Sequence, residues 1–366
     1  MNQNTTSPVI GRFSFIQLSR CCLALLCAAF WFLQPETGRA AEDKTLRIIG
    51  WEGYMDASFA KGFEDRTGYK VVATYAGTSD EMFAKIKAGG SSAYDVVTAS
   101  GDLTRRLYDA NLLEPVDLGK VPNYAKLFKL FQKPPYNTFD GKPYGVSIAW
   151  GPDFLIYNPS VIKEAPKSWQ IFYDPAYKGK ISINDYAIFI ADIALWNGKK
   201  DIFNLDKAAL DELKPKLMAL RPAIRKFWTS QGELAQLFQN KEIVMAWGWP
   251  VTMQTLKKSG FPVAATIPKE GTTGWSDSWM ILNGSPKAEI AHKWMNYMLE
   301  GKPQRQLVEA SGYWPVSSEI VPLLTPEEKK DFHIDDLDAY FSQIHFWETV
   351  RNYDEWTAIW TEVRGQ

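Results

Sequence analysis

An α/β fold in two domains is the architecture this 366-residue sequence predicts, and three observations predict it. Strand-like and helix-like segments alternate from Leu46 onward, and a second alternating region begins near Lys180. After an N-terminal segment of different character, about 326 residues remain, a length that favours two domains over one.

Arg12 and Arg20 precede the apolar run Cys21–Leu33, and Gly38-Arg39-Ala40 follows it. That order is the layout of a secretory signal peptide over residues 1–40, with cleavage after Ala40 and soluble export. A signal anchor ranks second, because thirteen apolar residues are few against the roughly 20 that span a bilayer. Lipoprotein attachment at Cys27 is the other alternative, opposed by the bulky Leu26 before it. Cys21, Cys22 and Cys27 all lie in this segment, so the expected mature chain forms no disulfide and depends on its core.

The mature chain opens with a strand over Leu46–Trp51, followed by a helix from Asp56 to Arg66 in which Phe59 and Phe63 share a face. Thr67-Gly68-Tyr69 interrupts it before a second strand, Lys70–Tyr75. Ser79 leads into a helix over Glu81–Lys87, Gly89-Gly90 closes it, and Asp95–Ala99 reads as a buried strand. In the second region the strands are Lys180–Ile183 and Glu242–Trp247, and Pro250 predicts a loop after the latter. Val146–Pro152 is the expected passage between domains and Gly274–Ile281 the return. The tail from Tyr340 predicts a helix packed on the second domain through Trp356 and Trp360.

Without Arg12, Arg20, Arg39 and Glu36, the chain keeps 38 basic and 41 acidic residues, a formal net charge of −3. No basic tract favours nucleic acid. His292, His333 and His345 have no zinc-binding spacing, so no metal is expected. There is no Gly-rich phosphate loop, no Gly-x-Ser-x-Gly elbow and no cysteine nucleophile beyond residue 40, and no cofactor is expected. Gly274-Trp275-Ser276-Asp277-Ser278-Trp279 sets an aromatic face beside a carboxylate, which suits an organic cation: the ring offers apolar contact and its quadrupole, the acid a charge.

Six blocks carry a family resemblance: Gly50-Trp51-Glu52-Gly53-Tyr54, Tyr94-Asp95-Val96-Val97, Ala149-Trp150-Gly151, Pro175-Ala176-Tyr177-Lys178-Gly179-Lys180, Trp275-Ser276-Asp277 and Gly312-Tyr313. Over nearly the whole mature chain the sequence resembles the periplasmic polyamine-binding (spermidine/putrescine-type) ABC-transporter solute receptors, as a divergent member. The resemblance implies a two-lobed periplasmic binding protein fold with discontinuous lobes and an interlobe ligand cleft. Lobe 1 would comprise residues 41–150 and 276–320, and lobe 2 residues 151–275 and 321–366.

It also implies ligand-binding roles. Trp51 and Tyr54 match an aromatic pair after the first strand, with loop packing as the alternative. Ser100 matches a pocket serine, whereas Asp102 stands where relatives carry tyrosine, and either receives an amine or faces solvent. Asp185 matches the first of two family carboxylates; the second is replaced by Ile188, which weakens a spermidine assignment. Trp247 matches a ligand-facing tryptophan or packs in the core, and Trp249 follows at strand spacing. Trp275, Asp277 and Tyr313 match pocket residues, and Glu348 stands after Trp347 where the family has glutamine.

The implied function is that of a monomeric solute-binding subunit that captures a small linear amine such as putrescine or spermidine and delivers it to an inner-membrane permease. Arg225 supports an alternative: beside the cleft it would hold the carboxylate of a zwitterion such as γ-aminobutyrate, with Asp277 on the ammonium. A surface position for Arg225 is the competing reading. An exported hydrolase using Asp102, Asp185, Asp277 or Glu348 as acid or base is the reading from a different class. A chemoreceptor adaptor of the same fold is a third.

Overall fold

Asp56 and Thr78 open the first two helices. Asp56 caps Ala57–Thr67 by accepting from the Ser58 amide, and Gly68 closes it in the left-handed region at φ 73°. Phe59 and Phe63, four residues apart, are buried against Trp294. Thr78 caps Ser79–Ala93, which extends beyond the expected end, although the chain does break its helical path at Gly90, φ 50°. The computed structural model describes residues 43–365, so the expected signal peptide lies outside the described residues.

Two large sheets organise the body that begins at Thr45, beside a small pair of strands, Thr138–Phe139 and Lys142–Pro143. The first has the order Trp314–Pro315, Val146–Pro152, Thr272–Leu282, Val96–Ser100, Thr45–Gly50, Lys70–Tyr75. Leu113–Glu114 and Ile344–Phe346 also pair with Thr272–Leu282. The second runs Ile224–Trp228, Ile181–Asn184, Met245–Gly248, Phe154–Tyr157, Ala264–Thr266. Thr45–Gly50 is parallel to both its neighbours, as strand–helix–strand units require. Thr272–Leu282 is antiparallel to Val96–Ser100 and Val146–Pro152, which makes the sheet mixed.

The chain leaves the first sheet at Pro152 and enters the second at Phe154. It returns between Thr266 and Thr272, earlier than the expected passage at 275/276, because Gly274–Asp277 already pair with Val146–Pro152. Residues 321–366, expected in lobe 2, divide: Ile344–Phe346 joins the first sheet, and only the terminal helix Tyr353–Arg364 buries Trp356 and Trp360 in the second core. Pro250 starts a helix, Pro250–Lys258, instead of a loop, since a first helical residue needs no amide hydrogen. Among the described residues no helix is long and apolar enough to cross a membrane.

Gly101 shows how tightly the segment between Ile344–Phe346 and the terminal helix Tyr353–Arg364 fits. The Thr349 hydroxyl donates to the carbonyls of Gly101 and Asp102, both at 3.1 Å, which seats the 347–349 segment on the start of helix Gly101–Asp109. A Cβ at Gly101 would overlap the Trp347 carbonyl oxygen and stand 2.8 Å from the Tyr136 Cβ. Gly101→Ala is therefore expected to cost about 1–3 kcal/mol through overpacking, measured by urea unfolding of the mature chain; wild-type stability would mean that the segment yields freely.

Candidate functional site

All eleven residues of Thr272–Leu282 are buried. The two-residue repeat of a strand puts Trp275 and Asp277 on one face. Asp277 lies opposite Ser100 on one side and Ala149 on the other, and the register shifts between Asp277 and Ser278, a bulge that re-aims the carboxylate. The Tyr54 hydroxyl donates to Asp277 Oδ2 at 2.5 Å and the Ser100 hydroxyl donates to Oδ1. Trp51 is a third partner. Burial pushes the Asp277 carboxyl up to about 6; the hydroxyl bonds oppose this, and the nearby Asp102 adds to it. Burial and the Asp277 charge likewise push the Tyr54 and Tyr313 phenols upward, so both remain protonated donors.

A chain of aromatic contacts starts from this acid. Tyr54 meets Tyr313 at 6.0 Å between ring centroids, and Tyr313 meets Trp275 edge-on at 4.4 Å. Trp249 follows at 6.5 Å from Trp275, Trp347 at 6.2 Å from Trp249, and Tyr186 at 5.7 Å from Trp347. The chain ends on a second acid, because the Tyr186 hydroxyl donates to Asp102 Oδ2, which also accepts from Ser79 at 2.9 Å. Tyr186 follows a strand of the second sheet and Asp102 a strand of the first, so this bond joins the two halves. Asp102 Oδ1 is buried without a partner, and burial raises the carboxyl. Arg106, the cation that acts on Asp102, gives its guanidinium to Asp80 at 2.8 Å.

A buried acid pair adjoins the aromatic chain. Asp153 accepts from Trp249 Nε1 at 2.7 Å and Trp347 Nε1 at 3.1 Å, and the Thr273 hydroxyl lies between Asp153 and Asp192. Burial and the second carboxylate push Asp153 well above the ordinary range, and burial pushes Asp192 up to about 7. Neither acid, nor Tyr186, follows from the sequence pattern: Asp153 sits unremarked after Gly151-Pro152, and Asp192 lies inside an apolar helix, Phe189–Trp196. A lone acid in an apolar run was the available signal.

Four expectations need correction. Asp185 is absent from the group around Asp277, because Trp360 Nε1 at 2.9 Å and Arg364 at 2.8 Å take its oxygens and balance its charge. Arg225 is exposed and pairs with Glu242 at 2.8 Å, on the edge strand Ile224–Trp228. Glu348 turns outward while Trp347 turns in, and lines a separate groove of about 740 Å³ with Arg105, Asp201 and Arg351. Trp247 is fully buried against Phe189, 5.6 Å away edge-on, and the half-buried Trp249 occupies the position in the aromatic chain. Trp51, Tyr54, Ser100, Asp102, Trp275, Asp277 and Tyr313 do gather, through the contacts above. Ile188, which stands in place of the second family carboxylate, is fully buried in apolar core.

A buried, acid-bearing aromatic surface, in which no arginine or lysine among the described residues balances Asp277, is complementary to a cation. The fold and this site define a solute-binding class, and residues 58–335 match the bacterial extracellular solute-binding protein family. The chain belongs to that family, and it is a binding protein, not an enzyme. It is 28% identical over 299 residues to spermidine/putrescine-binding periplasmic protein 1 of Haemophilus influenzae, covering 81% of this chain and 82% of the relative. It is 26% identical to the spermidine/putrescine-binding periplasmic protein of Escherichia coli, covering 84% and 87%. The fold is similar to that of the spermidine/putrescine ABC transporter substrate-binding protein PotD of Streptococcus pneumoniae, with a TM-score of 0.76, 22% identity and coverage of 88% and 98%.

Asp277 has a signature without any ligand. Its folded pKa of about 6 exceeds the ordinary 3.8, so across that interval the folded chain keeps a proton the unfolded chain has lost. Its contribution to stability falls as pH rises from about 4 to about 6, by at most about 1.4 kcal/mol per pH unit, and is flat above. Asp277→Asn should flatten the pH dependence of unfolding in that window. An unchanged slope in urea melts would mean that Asp277 is solvated.

Proposed function

We propose that this chain is the periplasmic solute-binding subunit of an ABC importer and that it captures a short linear amine for delivery to a separate permease as a monomer. The observation that carries this reading is Asp277, a buried acid with hydroxyl partners and flanking aromatic rings but no cation. A ligand ammonium beside it would restore the missing counter-charge, and Trp275, Tyr313 and Trp249 would cover the methylenes. The names of the relatives support a polyamine.

Acids stand at both ends of the aromatic chain, and Asp102 Oδ1 is free to accept from a second ammonium. With Asp185 neutralised by Arg364, that arrangement favours a diamine such as putrescine over the longer spermidine. The γ-aminobutyrate reading loses its support, because Arg225 is committed to Glu242 on the surface. The hydrolase reading loses the Asp185 and Glu348 pairings it needed.

Calorimetric titration of ligand-stripped mature protein with putrescine, spermidine and γ-aminobutyrate tests the reading. Putrescine is expected to bind best, and a preference for γ-aminobutyrate would overturn the diamine assignment. Asp277→Asn should cost about 2–5 kcal/mol of binding, thirtyfold or more, since the enclosed ammonium would lose its partner. The affinity of the wild type should fall by up to about tenfold per pH unit below about pH 6, as Asp277 takes up its proton. Binding that ignores pH between 4.5 and 7 would remove Asp277 from the site.

A further inference from the structure

Several indole nitrogens in this protein are buried without a partner, among them Nε1 of Trp275, Trp279, Trp294 and Trp356. Trp249 and Trp347 instead share a single carboxylate. Each donates to its own oxygen of Asp153, at 2.7 and 3.1 Å, and Asp153 is fully buried. Burying a carboxylate to hold two side chains costs more than filling the space with apolar atoms, so packing alone does not account for it.

Asp153 is placed to coordinate three stretches of chain. It occupies the passage between the sheets, its amide donates to the Thr273 carbonyl at 2.9 Å, and its carbonyl accepts from the Thr272 hydroxyl at 2.5 Å. Trp249 precedes helix Pro250–Lys258, and Trp347 follows the strand Ile344–Phe346. The Thr273 hydroxyl has one hydrogen but lies within 2.9 Å of three oxygens, one of Asp153 and two of Asp192. A single hydrogen cannot satisfy two charged carboxylates in this space, and burial together with the neighbouring acid shifts Asp153 upward while burial shifts Asp192 upward.

We propose that Asp153 is a positioning residue of the binding site: it fastens the indoles of Trp249 and Trp347 so that they form the aromatic wall beside Trp275 on which the ligand's methylenes lie. Trp249, half-buried between Trp275 and Trp347, is the ring that contacts ligand. The ligand half of this inference rests on the amine reading above.

Asp153→Asn separates the parts of the claim. An asparagine offers one oxygen, so it can accept from one indole and must present an amide nitrogen to the other. Nitrogen–proton correlation spectra of the ligand-free protein, with the two indole resonances assigned through Trp249→Phe and Trp347→Phe, should show one or both displaced in the variant. Putrescine affinity should fall tenfold or more. Unmoved indole resonances, or an affinity within twofold of wild type, would overturn the proposal. If the variant does not fold, Trp249→Phe and Trp347→Phe remove the same bonds from the donor side, and wild-type putrescine affinity in both would overturn it equally. A wild-type protein that binds no amine would defeat the amine reading, and the ligand-free resonances would still decide whether Asp153 holds the rings.

Discussion

A carboxylate taken out of water with no cation at its side is the interaction around which this protein is arranged. Asp277 needs donors, and it finds them in Tyr54, Ser100 and Trp51. Those residues come from the ends of two parallel strands, Thr45–Gly50 and Val96–Ser100, whose carboxyl ends point the following residues to the same edge. The strand that carries Asp277 runs antiparallel between Val96–Ser100 and Val146–Pro152, and its bulge directs the acid to that edge. Sheet order, strand direction and register are thus all needed to satisfy one side chain.

The local half of this arrangement was legible in the sequence, because its signals are short-range. Asp56 and Gly68 mark helix ends through local chemistry, a side-chain cap and a left-handed φ, and the Trp275–Asp277 spacing puts both residues on one strand face. Asp185, Arg225 and Glu348 misled for the opposite reason. Whether a charged residue is available depends on a partner: Arg364 reaches Asp185 across 179 positions, and Glu242 reaches Arg225 across 17. Trp247 and Trp249 illustrate the same limit, since strand periodicity puts them on one side but cannot say which is buried. Packing on Phe189 decides it.

Stability and recognition pull against each other at both acid centres. A raised carboxyl pKa is a record of unfavourable burial, and Asp277, Asp102, Asp153 and Asp192 all carry it. Four such groups close to one aromatic chain are hard to explain as structural economy, because apolar replacements would pack more favourably. For Asp277 and Asp102 the burial becomes reasonable as a site held in readiness, in which a cation supplied from outside would recover what folding lost.

The two acid centres solve different parts of that problem. Asp277 and Asp102 present charge, and their tyrosine partners hold them from the first sheet and across to the second. Asp153 and Asp192 present none outward; their oxygens turn to Thr273 and to indoles. Because Asp153 sits in the passage between the sheets, a change in the angle of that passage moves the rings it holds together with the backbone. The same buried side chain thus joins the passage between the sheets to both rings.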